Sequence, residues 1–176
     1  MKHLNLKHSA ATLFLLSMIT ACSTENAVIG NVNVTDIRSS ACKTSVSPTD
    51  TRPEYYQNVT NNPTVLHLKM AADNTVNAQF TDVLDNCMIS HFHVEAGGDG
   101  NKLVLILYPN EDMATDCICQ YDVNFTLKNL ASGSYQLDVY HTTANKQTAE
   151  WNRIYRGSVT FVPDKPVTLT MKQHRF

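Results

Sequence analysis

Cys117-Ile118-Cys119-Gln120-Tyr121-Asp122-Val123-Asn124-Phe125-Thr126-Leu127-Lys128 is the stretch whose reading decides the fold. Successive side chains of a β-strand point to opposite faces. On that reading Cys117, Cys119, Tyr121, Val123, Phe125 and Leu127 share one face. Ile118, Gln120, Asp122, Asn124, Thr126 and Lys128 share the other. Apart from Ile118, apolar and polar residues separate completely, which predicts a strand with one face in a core. The same pattern sets two thiols side by side on the buried face.

Working outward, the neighbouring segments repeat this two-residue period. Leu66, Leu68 and Met70 alternate with Val65, His67 and Lys69. Val76, Ala78, Phe80 and Leu84 give a weaker series. Met88, Ser90, Phe92 and Val94 are set against Ile89, His91, His93 and Glu95. Leu103 to Tyr108 is apolar throughout, the mark of a strand covered on both faces. Tyr135, Leu137 and Val139 alternate with Gln136, Asp138 and Tyr140, and residues 141–150 are polar and read as a loop. Ile154 to Val162 and Val167 to Met171 complete the set. Gly97-Gly98-Asp99-Gly100-Asn101, Gly133 and the Pro163 and Pro166 pair supply turns. No stretch beyond the N-terminus shows a 3.6-residue apolar period. The expectation is an all-β fold, an Ig-like or transthyretin-like sandwich of roughly seven to nine strands, with a partly closed barrel as the alternative.

The N-terminus is of another kind. Lys2, His3, Lys7 and His8 precede the apolar run Leu13-Phe14-Leu15-Leu16-Ser17-Met18-Ile19, and Thr20-Ala21 precede Cys22. A charged region, a short apolar region and small residues before a cleavage point make a secretory signal peptide. The apolar run is about half the roughly 20 residues a membrane span needs. The cysteine directly after the small residues resembles the lipobox of bacterial lipoproteins. That resemblance implies cleavage before Cys22, acylation of its thiol and of the new N-terminus, and a stable membrane anchor of two or three chains. Ser23 follows it where an inner-membrane retention signal has Asp, so the expected location is the cell envelope, at the outer membrane. Three parts are expected: residues 1–21 as signal peptide, 22–63 as the lipidated cysteine and a polar tether, and 64–176 as the β-sandwich. Within the tether, residues 31–37 carry a short strand pattern. The Asn-x-Thr triplets at Asn33, Asn58 and Asn124 carry no weight with such a signal.

Charge excludes one function class. Without residues 1–21 the chain has 12 basic and 16 acidic residues and no basic run, which is not a nucleic-acid-binding balance. Cysteine parity points to another. Setting Cys22 aside leaves Cys42, Cys87, Cys117 and Cys119, an even set that in an exported protein reads as two disulfides. A bridge between Cys117 and Cys119 would be strained, since same-face neighbours on a strand stand too far apart for the bond. Each needs its own partner, and Cys42 and Cys87 are available. A zinc site is disfavoured because Cys-x-Cys lacks the usual spacer. A redox-active pair is disfavoured because nothing basic adjoins it.

Cys42-Lys43, Asp85-Asn86-Cys87, the Cys117-Ile118-Cys119-Gln120-Tyr121-Asp122 run, Phe125, Asn129-Leu130 and Gly133-Ser134-Tyr135 together resemble small envelope lipoproteins of gut anaerobes. In those a Cys-x-Cys-x-Tyr-Asp strand is followed by a Gly-x-Tyr strand. The resemblance spans residues 42 to about 140 and implies class and location only.

No nucleophile elbow, zinc-protease helix or phosphate loop occurs, and no catalytic constellation or cofactor is expected. Asp122 reads as a strand-edge or turn-capping residue and Tyr121 as a core ring with its hydroxyl at the rim. Three candidate sites remain. Trp151, Arg153, Tyr155 and Arg156 are residue types enriched in binding hot spots and form a candidate edge for a protein or glycan. His91 and His93 face one way and could hold a transition metal with His67 or His141 as third ligand, although two solvent-facing histidines are the simpler reading. Residues 146–152, opening with Lys146, could serve as the bait loop of a protease inhibitor. The favoured reading is a membrane-anchored, non-catalytic binding or structural module. The inhibitor and a periplasmic metal-handling protein are its alternatives.

Overall fold

The computed structural model describes residues 32–46, 59–112 and 115–173. The signal segment, Cys22 and Asn58 lie outside the described residues. Among the described residues ten strands form: β1 (Asn33–Ser39), β2 (Thr44–Val46), β3 (Val65–Met70), β4 (Val76–Asn86), β5 (Phe92–Asp99), β6 (Lys102–Pro109), β7 (Ile118–Lys128), β8 (Gly133–His141), β9 (Arg153–Phe161) and β10 (Pro166–Thr170). They build an all-β sandwich. One sheet has the order β1-β7-β4-β3-β10, antiparallel throughout, with β2 also pairing β7. The other has the order β5-β6-β8-β9, in which β6 and β8 run parallel.

The quoted stretch is β7. It pairs with β1, β2 and β4, and so sits inside the larger sheet. Cys119, Tyr121, Val123, Phe125 and Leu127 are buried in the core, as the alternation predicts. Cys117 lies one residue before the strand and is half-buried. Facing this sheet across the core are Phe92 and Val94 of β5, Leu103, Leu105 and Leu107 of β6, Leu137 and Val139 of β8, and Val159 and Phe161 of β9. At roughly 1.5–3 kcal/mol for each large side chain removed from water, this interior is the main stabilising contribution. The sheets are also pinned along both sides. The Phe92 amide donates to Ser39 Oγ at 2.8 Å where β5 meets β1, and the Lys172 amide donates to the Ile154 carbonyl at 2.7 Å beside β9.

The strands begin earlier than the expected boundary at residue 64. β1 and β2 lie in the segment read as tether, yet they pair with β7 over Asn33↔Lys128 and Thr44↔Gln120. The strand pattern of residues 31–37 is β1, whereas β2 is only three residues long and has β7 on one side only. They also raise the strand count above nine.

Two corrections concern parity. In β4 the register shifts between Phe80 and Val83, where Asp82 takes φ 56°, a left-handed conformation that Asp tolerates. Val83 and Asp85 therefore turn inward and Leu84 outward, where Leu84 joins Val59 and Ile118 in a small separate cluster. That cluster accounts for the apolar Ile118 on the polar face of β7. The second concerns residues 87–91, which make a turn and link rather than the start of a strand. Met88 is exposed and Ile89 buried, the reverse of the alternation. The β5–β6 hairpin is tight: a Cβ on Gly98 would stand 1.9 Å from the Lys102 carbonyl oxygen, and Gly100 has φ 59°.

Candidate functional site: the disulfide-braced end

Strands β4, β6 and β8 end, and β5, β7 and β9 begin, at one end of the sandwich. Three connecting segments gather there: residues 87–91, the described residues 110–112 and 115–117, and residues 142–152. Both disulfides lie at this end. Cys87 pairs with Cys117, joining the first segment to the second, with Cα atoms 5.4 Å apart. Cys42 pairs with Cys119, tying the link between β1 and β2 to the start of β7, with Cα atoms 5.7 Å apart. The four thiols are thus bridged, each of Cys117 and Cys119 with a partner of its own.

Beneath the segments a polar cluster is sealed between the sheets. His141 Nε2 lies 3.0 Å from Asp85 Oδ2, and both residues are buried. The other oxygen of Asp85 accepts from the Asn86 amide at 2.7 Å. Tyr121 donates its hydroxyl to the Asn86 carbonyl at 2.7 Å, and its ring meets Phe92 edge to face. Burial, reinforced by the Asp85 carboxylate, pushes the Tyr121 phenol up to about 12. Asp85 comes from the larger sheet and His141 from the smaller one, so the pair staples the two layers. Removing one partner of such a pair strands a buried polar group, which is costly. Sequence reasoning missed it by ending β8 before residue 141. The signal was present, since His141 continues the inward face of Leu137 and Val139.

On the outer side of the smaller sheet a second cluster fixes the 142–152 segment. His93 stands opposite Tyr108, with ring centroids 5.1 Å apart, and His91 meets His93 at 4.9 Å. Glu95 accepts from the Tyr108 hydroxyl at 2.7 Å and from Lys146 Nζ at 2.6 Å. The Lys146 ammonium also lies 4.9 Å from the centroid of the Tyr108 ring. Burial alone would raise Glu95. The hydrogen bonds from Lys146 and Tyr108 outweigh it and hold the carboxyl below its ordinary range. His93 is lowered by burial, then by His91 and Lys146. Lys146 is raised, chiefly by its bond to Glu95. The Thr142 amide donates to the Leu107 carbonyl at 3.0 Å, so the segment leaves β8 along the edge of β6, and the cluster covers Tyr108 near the end of that strand.

The same segment holds Trp151 out of the fold. Trp151 lies in a 3₁₀ turn, Glu150–Asn152, and is 77% exposed. Arg153 pairs with Glu150, Asn152 Nδ2 donates to the Gln147 carbonyl at 2.8 Å, and the Ala144 amide donates to Asp112 at 2.7 Å. Met88, on the segment that follows Cys87, is 56% exposed.

The expected sites fare differently. Of the candidate edge, Trp151 and Arg153 lie at this end. Arg156 lies on the outer face of β9, bonded to Asp138 at 2.6 Å, and Tyr155 packs against the core. Strand parity separates the last two, so the four do not form one surface. His91 and His93 do come together. His67 instead bonds Thr168 on the larger sheet at 3.3 Å, and His141 is inside with Asp85, so neither joins them. Among the described residues no group of three or more His, Cys, Asp or Glu is placed to hold a metal ion. Lys146, the cation of the supposed bait loop, has its charge occupied by Glu95. Asp122 lies on the larger sheet, where Lys43 bridges it to Asp82 at 2.7 and 2.8 Å.

No protein-family model, curated protein or solved structure matches this chain.

Proposed function

We propose that this protein is a membrane-anchored lipoprotein of the bacterial cell envelope, lipidated at Cys22, that acts as a non-catalytic binding module through its disulfide-braced end. One observation carries the reading. Two bridges, a buried inter-sheet pair and the Lys146–Glu95 bond all converge on one end, and that ordered end holds Trp151 and Met88 in solvent. Exposed large apolar groups on a fixed frame gain little for folding, whereas a preorganised aromatic anchor lowers the ordering cost of binding. Several reactive groups here have structural partners: the thiols pair with each other, Asp85 with His141, and Glu95 with Tyr108 and Lys146. The lipobox-like N-terminus and the resemblance to small envelope lipoproteins support the location.

Two measurements test it. Cys22→Ala should move the protein from the membrane fraction to the soluble fraction. Trp151 is the chain's single tryptophan, so its emission reports directly on occupancy of this end. Titration with envelope polysaccharides and purified envelope proteins should produce a saturable change with at least one of them. Trp151→Ala should weaken that same binding, read by calorimetry, without lowering the melting temperature. Turnover of an envelope substrate, abolished by one side-chain change at this end, would replace the binding reading with a catalytic one.

A further inference from the structure

We infer that the disulfide-braced end faces away from the bilayer, so that the ligand of the Trp151 surface approaches from the aqueous side and is not the membrane that holds the protein. The inference rests on the lipid-anchor reading of Cys22 and adds an orientation to it.

Strand β1 begins at Asn33, which pairs with Lys128, the last residue of β7. β7 begins at Ile118, beside the braced end. The chain coming from Cys22 therefore joins the sandwich at the end opposite Trp151. Nine residues lie between Cys22 and Val32, and the ten Cα steps between them span at most about 36 Å when fully extended. The 11 residues of β7 alone rise about 33 Å from first Cα to last. Even a taut connection would thus be almost used up in running the length of the sandwich, which opposes an inverted posture with the braced end in the bilayer.

The surfaces argue against a flat posture as well. Among the described residues the exposed large hydrophobics are Met88, Trp151 and Val162. Met88 and Trp151 are at the braced end. Val162 follows β9 at the other end, the one the tether reaches. Neither sheet face adds a member to this set. The outer face of the larger sheet carries His67, Lys69, Gln79, Asn124 and Thr126, which gain nothing from entering lipid.

The test uses the full lipidated chain reconstituted in phosphatidylcholine vesicles doped with a dansyl-headgroup lipid. Energy transfer from tryptophan to dansyl falls with the sixth power of distance. Two proteins are compared: the natural one, with Trp151 as sole donor, and the double variant Trp151→Phe, Val162→Trp, with its donor at the opposite end. With the ends separated by about the length of β7, transfer from Trp151 should be at least about threefold weaker than from position 162. Equal or stronger transfer from Trp151 would overturn the orientation. Flotation of each protein with the vesicles, beside Cys22→Ala, is read first. If the natural chain fails to float, or Cys22→Ala floats as well, the anchor reading fails and the orientation with it. If anchoring holds and the transfer ratio is reversed, the orientation alone is wrong. Circular dichroism of the double variant confirms that it is folded.

Discussion

Deleting the two disulfides one at a time should give unequal losses of stability, with the order set by how the bridges are nested. Cys42–Cys119 spans 77 residues and encloses Cys87–Cys117, which spans 30. In the loop-entropy model the inner bridge alone restricts the unfolded chain by about 3.6 kcal/mol and the outer alone by about 4.5 kcal/mol. Together they do not add. Once Cys87 and Cys117 are joined, the shortest path from Cys42 to Cys119 shrinks to about 47 residues. The outer bridge then contributes about 4 kcal/mol and the inner, with the outer in place, about 3 kcal/mol. Cys119 is fully buried in the core, so replacing it by Ala also opens a small cavity costing about 1 kcal/mol. Cys42→Ala/Cys119→Ala should therefore lose about 5 kcal/mol and Cys87→Ala/Cys117→Ala about 3 kcal/mol. Against a total of about 5–15 kcal/mol for a domain, the first loss could leave little folded protein. The assay is urea unfolding followed by circular dichroism, with both variants expected to show larger m-values because their unfolded chains expand. A larger loss from the inner pair, or unchanged m-values, would refute the nested-loop reasoning. So would peptide mapping that joins Cys42 to Cys117.

Other outcomes follow from single contacts. Asp85→Ala or His141→Ala should each cost about 1–3 kcal/mol by removing the buried Asp85–His141 contact, while a joint replacement by apolar residues should cost less than the sum, as a double-mutant cycle measures. Tyr121 should ionise near pH 12 in an ultraviolet titration, and Tyr121→Phe should remove that step. Lys146→Gln removes a cation that lowers both His93 and Glu95, so NMR titration should show both midpoints rising; if Glu95 falls while His93 rises, the segment has merely loosened and the charge argument is wrong. Both groups make the fold acid-sensitive. His93 is lowered, so below pH 6.5 the unfolded chain takes up a proton that the folded chain resists, and stability declines with falling pH until His93 itself is protonated. Glu95 is also lowered, so its contribution is present above pH 4.5 and is lost as pH falls through its folded value. Unfolding midpoints measured between pH 7 and pH 3 should fall in those two windows.

The β class was legible because the period of two is written directly into β3 and into β7 from Tyr121 onward, whose burial follows it without a break. It was illegible where one backbone event resets the count. Asp82 adopts a positive φ, the register slips, and Leu84 leaves the core while Asp85 enters it. Nothing in the local composition marks that slip. β2 was hidden for a different reason: a three-residue strand paired on one side only matches linker composition, whereas residues 31–37 already carry the pattern of β1. The thiols were readable as two disulfides from parity, and strand geometry kept Cys117 and Cys119 apart, but pairing across 77 residues depends on the order of strands in the sheet. The candidate site was legible in its types and not in its assembly. Trp151, His91, His93 and Lys146 all stood out, yet only the fold shows that Lys146 spends its charge on Glu95. It is also the fold that turns Tyr155 inward.

The nested pairing has a consequence for how the protein is made. A chain emerging from its N-terminus presents Cys42 first, then Cys87, and Cys117 with Cys119 close behind. Oxidation in order of appearance would join Cys42 to Cys87, a link absent from the final structure, and would leave Cys117 and Cys119 to each other, which strand geometry opposes. The native links close only after β7 has been synthesised and has taken its place between β4 and β1. An oxidant acting early on the emerging chain therefore traps the wrong link, and recovery runs through attack by a thiolate on the mistaken bridge. Maturation of this protein should depend on a catalyst that reshuffles disulfides, not only on one that forms them.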